Sequence, residues 1–219
     1  DGIRDYKVTG VQTCALPILA QGVGGAADAM RVLADHGEGC TVPRFNRLTG
    51  ALDAPCAHAG GLLVSTQTTG SWVSELGHSG DRHWATGTSS PCLSVFRPVA
   101  IDRSRQIGAP TGNPDSRSLW WRHEALHRAT RLAGWTPPAS FHADRSRTQA
   151  AILAEPEDGW MLAEDFLERW EGVGTRAAAA SAPRWLTRHW KHIARQAEEI
   201  GRAHVNSSHL VISYAVFCL

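Results

Sequence analysis

The chain has 219 residues, of which 42% are hydrophobic and 20% are charged, and its formal net charge at pH 7 is +1. So small a net charge excludes binding of nucleic acid by bulk attraction, because a polyanion requires a clear excess of basic residues. No stretch of the central part of the chain reaches the roughly 20 apolar residues of a membrane span. We therefore expect no nucleic acid partner and no membrane, and the odd, widely spaced cysteines favour a reduced, cytoplasmic location.

The two ends of the chain are related to each other through their codons. Codons permitted for residues 1–9, DGIRDYKVT, encode SHLVISYAV when read as the reverse complement, and this is the sequence of residues 208–216. One synthetic oligonucleotide joined in opposite orientations to both ends of a DNA fragment produces such a relation, whereas no rule of folding does. We interpret residues 1–18 and 199–219 as translated sequencing adapter and exclude them from the fold. The remaining residues 19–198 are expected to be part of a longer protein.

The central segment begins with a predicted amphipathic helix at residues 26–36, AADAMRVLADH, which is followed by two glycines as stop signals. After a loop-like stretch, residues 62–76 alternate in polarity. This alternation predicts a half-buried strand with Trp72 on its buried side and a bulge at Gly70.

A similar pattern predicts further strands at residues 83–88 and 92–97, joined by a turn at residues 89–91. Pro98 is expected to end the second of them, because proline cannot donate to a strand ladder. We expect these strands to be antiparallel neighbours. A surface loop rich in glycine and proline is predicted at residues 103–116.

The rest of the segment is predicted to be helical, at residues 117–133, 144–154, 159–170 and 184–198. Strands followed by a run of helices are typical of a mixed chain rather than of alternating βα units. The sequence therefore predicts the α/β class in its α+β form, with a helical C-terminal region.

One short motif matches a zinc site, the HExxH formed by His123, Glu124 and His127 on a predicted helix. Two histidines four residues apart, with a glutamate beside them, can bind Zn²⁺ and activate its water. Arg122 and Arg128 flank the motif with positive charge that opposes a dication, and no third ligand is evident. An exposed helix face with a chance match is the preferred interpretation, and a zinc peptidase is kept as an alternative.

A second candidate metal set consists of cysteines and histidines spread over the first half of the segment: Cys40, Cys56, His58, His78, His83 and Cys92. Their spacings do not match the C-x2-C and H-x3-H patterns of established zinc sites. Because unpaired cysteine is among the most buried residue types, buried structural cysteines and a hydrogen-bonded histidine are the preferred interpretation.

Four stretches, in a fixed order, carry a resemblance to a known family: PCAHAGG, STQTTGSWVSEL, HWATGTSSPCLSVFRPV and LWWRHEALHR. Together with GGAADAMRVLADHGEG near the start, they resemble the C-terminal part of the secernin-like family of cysteine dipeptidases, peptidase family C69. The resemblance covers nearly all of residues 20–198. It implies part of the αββα sandwich of an N-terminal nucleophile hydrolase, in which the RHExLHR segment belongs to a helix and is not a zinc site.

The resemblance also implies an activity, the hydrolysis of dipeptides or other short peptides by a mature N-terminal cysteine. The thiolate is the nucleophile and the free α-amino group of the same residue acts as the base. That cysteine would be encoded before residue 19, so no catalytic, cofactor-binding or metal residue is assigned to this chain. Neither a metal nor an organic cofactor is implied. A non-enzymatic secernin-like protein that acts through interaction, or in the regulation of secretion, is the alternative.

Overall fold

The computed structural model describes residues 24–37, 54–58, 67–77, 80–86, 88–102, 115–132, 136–177, 188 and 210–218. Within these residues the chain forms four α-helices and one four-stranded sheet, so the predicted α+β class is confirmed. None of the helices described is both long enough and apolar enough to cross a membrane.

Helix α1, Ala26–Leu33, confirms the first predicted helix but ends earlier than expected. Ala29, Met30 and Leu33 are buried because their spacing places them on one helix face. After the last helical residue the chain turns, and the backbone carbonyl of Asp35 accepts a hydrogen bond of 3.1 Å from the amide of Cys56. This turn brings His36 to the segment that contains Cys56.

The sheet has the strand order β3-β2-β1-β4, with β1 at Gln67–Leu76, β2 at Arg82–Ala85, β3 at Arg97–Val99 and β4 at Leu210–Cys218. Strands β1 and β2 are antiparallel neighbours, as predicted; β3 is antiparallel to β2, and β4 runs parallel to β1. The register of β1 with β4 shifts between Thr68 and Gly70, where the sequence predicts a bulge.

The prediction that Trp72 lies on the buried side of β1 is wrong. Val73 is fully buried and packs in one cluster with Trp84, Phe96 and the apolar face of α1, whereas Trp72 is only half-buried. Successive side chains of a strand point to opposite faces, so the face that α1 covers is the face of Val73. The indole N–H of Trp72 donates instead to Ser74 Oγ, at 2.7 Å.

The predicted strand at residues 92–97 is also wrong, since residues Pro91–Leu93 form a 3₁₀ turn and β3 is only Arg97–Val99. Ser90 has a left-handed backbone (φ 56°), which turns the chain before the proline. Pro98 does not end the strand, because an edge strand tolerates its missing N–H. The backbone groups of Phe96 are bound by the Gln149 side chain, at 2.7 and 3.2 Å, rather than by a neighbouring strand.

The stretch Leu210–Cys218, which lies within the residues interpreted as adapter, forms β4 and pairs with β1. Its sequence, LVISYAVFC, is rich in β-branched and aromatic residues, and such a run pairs readily with an open sheet edge. This pairing does not test the origin of the two ends, which stays a prediction.

Three helices cover the second half of the fold: α2 at Leu119–Leu132, α3 at Ala139–Ala154 and α4 at Gly159–Ala177. They confirm three predicted helices. Leu126, Phe141 and Phe166 pack into one buried cluster with the 3₁₀ turn. Arg122 on α2 binds two carboxylates of α4, Glu164 and Glu171.

Several predictions fall outside the described residues. They concern residues 1–18, the first part of the strand at 62–76, most of the loop at 103–116 and all but residue 188 of the helix at 184–198.

The burial pattern of the sheet predicts that replacing its two tryptophans lowers the free energy of unfolding by different amounts. Trp84→Ala should lower the free energy of unfolding by about 3–5 kcal/mol, because it empties a fully packed site beside Val73 and Phe96. Trp72→Ala should cost less than about 2 kcal/mol, because that side chain is half exposed already. Urea denaturation of both variants checks this expectation, and equal losses would contradict the assignment of the faces.

Candidate functional site

Buried Thr68 on β1 joins three segments of the chain. Its amide donates to the carbonyl of Ala57, and its carbonyl accepts from the amide of Ser90, both at 3.0 Å. Its hydroxyl accepts from the amide of Ala57 and donates to the carbonyl of Pro55, again at 3.0 Å. The segment before β1 and the 3₁₀ turn after β2 are therefore held against the same residue.

Four side chains converge beside this junction: His36, Cys56, His58 and Cys92. The Nε2 atom of His58 lies 3.0 Å from Nε2 of His36 and 3.3 Å from each of the two sulfur atoms. The four potential ligand atoms all lie within 4.8 Å of one another. We call these residues the His2Cys2 cluster. All four are buried, with relative exposures of 5, 0, 5 and 8%.

The two thiols of the cluster differ in their ionisation. Burial raises the pKa of Cys56 well above its ordinary value, and the neighbouring Cys92 raises it further. Burial also opposes ionisation of Cys92, but the hydrogen bond from Cys56 and the nearby charge of His58 outweigh it and lower the pKa of Cys92. Of the two thiols, Cys92 is therefore the more readily ionised, and a second buried thiolate beside it would be unfavourable without a cation.

Buried Glu124 on α2 forms a second polar centre. Its Oε2 atom accepts hydrogen bonds from Ser89 Oγ at 2.9 Å and from Gln67 Nε2 at 3.1 Å, and it lies 3.3 Å from Nδ1 of His127. The His127 ring in turn contacts the ring of His58 edge-on, with centroids 5.2 Å apart. The carboxylate therefore ties α2 to β1 and to the turn after β2, next to the His2Cys2 cluster.

His123, one turn earlier on α2, faces a cation. Its Nε2 atom lies 3.4 Å from Nη2 of Arg97, which is buried under the ring of Trp160. Burial lowers the pKa of Arg97 to about 10, so it remains charged at neutral pH. Burial and the charges of Arg97 and Arg122 lower the pKa of His123 well below its ordinary value. His123 is therefore neutral and can accept the hydrogen bond from Arg97.

The structure places the HExxH residues in separate environments. His123 is directed to Arg97, while Glu124 and His127 lie beside the His2Cys2 cluster. Across the described ranges, the group of side chains close enough to share a metal ion does not include any of the three. The motif is also buried, rather than an exposed helix face as preferred from the sequence.

The structure brings together only some members of the second candidate metal set. Cys56, His58 and Cys92 meet, and both cysteines are buried as expected. His83 lies elsewhere, with its Nδ1 atom 2.9 Å from Ser74 Oγ. Cys40 and His78 lie outside the described residues.

Sequence reasoning missed His36, which completes the cluster. The four residues come from three distant stretches, so their spacing matches no short metal motif. One local signal was present, the C-x-H pair of Cys56 and His58, since two potential ligands one residue apart can face the same point.

Two surface cavities of about 280 and 490 Å³ lie along β2. Arg82 and Trp84 line both of them, and no member of the His2Cys2 cluster lines either.

The chain matches no protein-family model, and comparisons with curated proteins and with solved structures gave no match. The resemblance to secernin-like dipeptidases therefore rests on the quoted sequence stretches alone. The activity that it implies is treated below as a proposal.

The contacts of Glu124 predict a structural cost for its removal. Glu124→Ala deletes the acceptor of the hydrogen bonds from Ser89 and Gln67, and hydrogen bonds to a charged group contribute about 1.5–3 kcal/mol each. We expect a loss of at least about 2 kcal/mol in the free energy of unfolding. Glu168→Ala, at an exposed position on α4, is the matched control and should change stability by less than about 0.5 kcal/mol. Similar values for the two variants would contradict the role of Glu124.

The lowered pKa of His123 predicts a pH dependence of stability. The folded protein holds this residue neutral, whereas the unfolded chain protonates it below about pH 6.5, so unfolding takes up a proton. Stability that is present above that pH is therefore lost as the pH falls. In His123→Gln the decline in the free energy of unfolding from pH 7 to 5 should be shallower than in the unsubstituted chain. His83→Gln is the control. If the free energy of unfolding depends on pH in the same way in the unsubstituted chain and in His123→Gln, the neutral state of His123 in the folded protein is contradicted.

Proposed function

We propose that residues 19–198 are the C-terminal portion of a secernin-like amidohydrolase. In this proposal an N-terminal cysteine encoded before residue 19 hydrolyses short peptides, and the described sheet and helices belong to an αββα sandwich. The supporting observation is that the four stretches that carry the resemblance are joined in space by direct hydrogen bonds.

Those hydrogen bonds connect each stretch to the next. Thr68 of STQTTGSWVSEL is bonded to Ala57 of PCAHAGG. Ser90 of HWATGTSSPCLSVFRPV donates to Thr68, and its neighbour Ser89 donates to Glu124 of LWWRHEALHR. The four stretches therefore form one packed unit, as expected if they are parts of a single domain.

The proposed reaction needs only the N-terminal residue and water. The α-amino group takes the thiol proton, and the thiolate attacks the scissile carbonyl carbon. The C–N bond breaks as the α-ammonium group returns its proton to the leaving amine, which leaves a thioester. Water, deprotonated by the same amine, attacks the thioester, and the carboxylic acid product departs as the thiol is restored.

The zinc-peptidase alternative would place the metal on His123 and His127, with Glu124 as the base. The contacts of these residues favour a packing role instead, because Arg97 faces His123 and Ser89 donates to Glu124. A site for a dication next to a buried guanidinium would be electrostatically unfavourable.

The proposal predicts that the chain as it stands hydrolyses no dipeptide. The longer protein of which it would be a part, here called the parent, is expected to hydrolyse dipeptides. The upstream coding sequence is recovered and the mature parent is assayed against a dipeptide panel. Replacing its N-terminal cysteine with alanine should lower kcat by at least about 10³-fold, because the nucleophile is lost. Mass spectrometry should detect the acyl-enzyme in the parent and not in the variant.

The control for this experiment is His123→Gln in the parent. This variant should retain activity if α2 has only a structural role. Activity that survives loss of the N-terminal cysteine, but is lost in His123→Gln, would favour the zinc peptidase. A folded parent with no activity towards any substrate would favour the non-enzymatic alternative.

A further inference from the structure

The His58 ring nitrogen has more partners than hydrogen bonding can serve. Its Nε2 atom lies within 3.3 Å of three potential donors or acceptors, on His36, Cys56 and Cys92. A ring nitrogen carries either one N–H or one lone pair in the ring plane, so it can make one well-directed hydrogen bond. Three such contacts are expected where several ligand atoms surround a common point.

The spacing of these atoms fits a tetrahedral metal site. Zn–N bonds of 2.0–2.1 Å and Zn–S bonds of 2.3 Å place tetrahedral ligands about 3.3 Å apart for two nitrogens and about 3.6 Å apart for nitrogen and sulfur. From Nε2 of His58, the separations are 3.0 Å to Nε2 of His36 and 3.3 Å to each of the two sulfurs, and all four ligand atoms lie within 4.8 Å of one another. Small shifts of the side chains would bring the ligand atoms to the ideal values.

The charges of the cluster also fit a dication. Two thiolates and two neutral imidazoles carry a charge of −2, which Zn²⁺ neutralises, and burial of an unneutralised pair of thiolates would be unfavourable. A mixed set of thiolate and imidazole ligands in tetrahedral geometry is typical of zinc.

We infer that His36, Cys56, His58 and Cys92 bind one structural Zn²⁺ ion. With four buried protein ligands the site is closed and leaves no position for substrate or for a reactive water, which distinguishes it from a catalytic zinc site. The ion would join the turn after α1, the segment before β1 and the 3₁₀ turn after β2. This inference is independent of the proposed hydrolase activity, because no step of that reaction uses the ion.

Two other states of the cluster make different predictions. A Cys56–Cys92 disulfide needs the sulfurs to approach to about 2.05 Å and would show no titratable thiol at either residue. A thiolate–imidazole pair without metal would leave both thiols reactive towards alkylating agents in partly opened protein, whether or not a chelator is present.

The test uses the full chain with Cys14, Cys40 and Cys218 replaced by serine, so that Cys56 and Cys92 are the remaining thiols. Elemental analysis of the purified protein should give one zinc per chain. Replacement of zinc by Co²⁺ should produce the visible bands of a tetrahedral site and a thiolate-to-cobalt charge-transfer band. Absence of bound zinc, together with failure to take up Zn²⁺ or Co²⁺, would overturn the inference.

Variants in the same background assign the ion to the cluster. Cys92→Ser should weaken Zn²⁺ binding by at least about tenfold, whereas His83→Gln should leave it unchanged. If Cys92→Ser does not fold, the background chain that retains both Cys56 and Cys92 still tests the inference. A chelator should then lower its unfolding temperature and expose two thiols to alkylation, and added Zn²⁺ should reverse both changes. The proposed site would be refuted if Cys92→Ser and the background chain bind zinc equally well. It would also be refuted if the chelator has no effect on alkylation of the two thiols.

Discussion

The fold depends on the approach of three separate segments to the buried end of β1. Thr68 holds two of them through its backbone and hydroxyl, and His58 reaches from one of them to the sulfurs of Cys56 and Cys92 and to the ring of His36. Hydrophobic burial alone would not select such a polar arrangement, because each of its groups loses hydration. A bound Zn²⁺ would compensate that cost, and its binding energy would then be part of the folding energy.

The second polar centre extends this arrangement to the helices. Glu124 connects α2 to Ser89 and Gln67, and His127 lies between that carboxylate and the ring of His58. Two residues of the apparent zinc-peptidase motif, Glu124 and His127, therefore pack beside the His2Cys2 cluster. In the proposed hydrolase this part of the chain would be scaffold, and the reacting groups would lie on the segment before residue 19.

Local patterns in the sequence predicted the helices and the antiparallel strands, because propensity and periodicity act over a few residues. The errors arose where a distant element decided the outcome. The packing of α1 made Val73, rather than Trp72, the core side of β1, and Gln149 bound the backbone of Phe96 in place of a strand. The His2Cys2 cluster was recognised only in part, since His36 joins it through the turn after α1 and no spacing rule connects it to the other ligands.

The X-ray absorption fine structure at the zinc edge, recorded on the full chain, tests the central claim most directly. A His2Cys2 site predicts two sulfur atoms at about 2.3 Å and two nitrogen atoms at about 2.0–2.1 Å from the metal. Imidazole rings should also contribute scattering from their outer atoms. A first shell made only of nitrogen and oxygen atoms, as the HExxH motif would supply, would contradict the account.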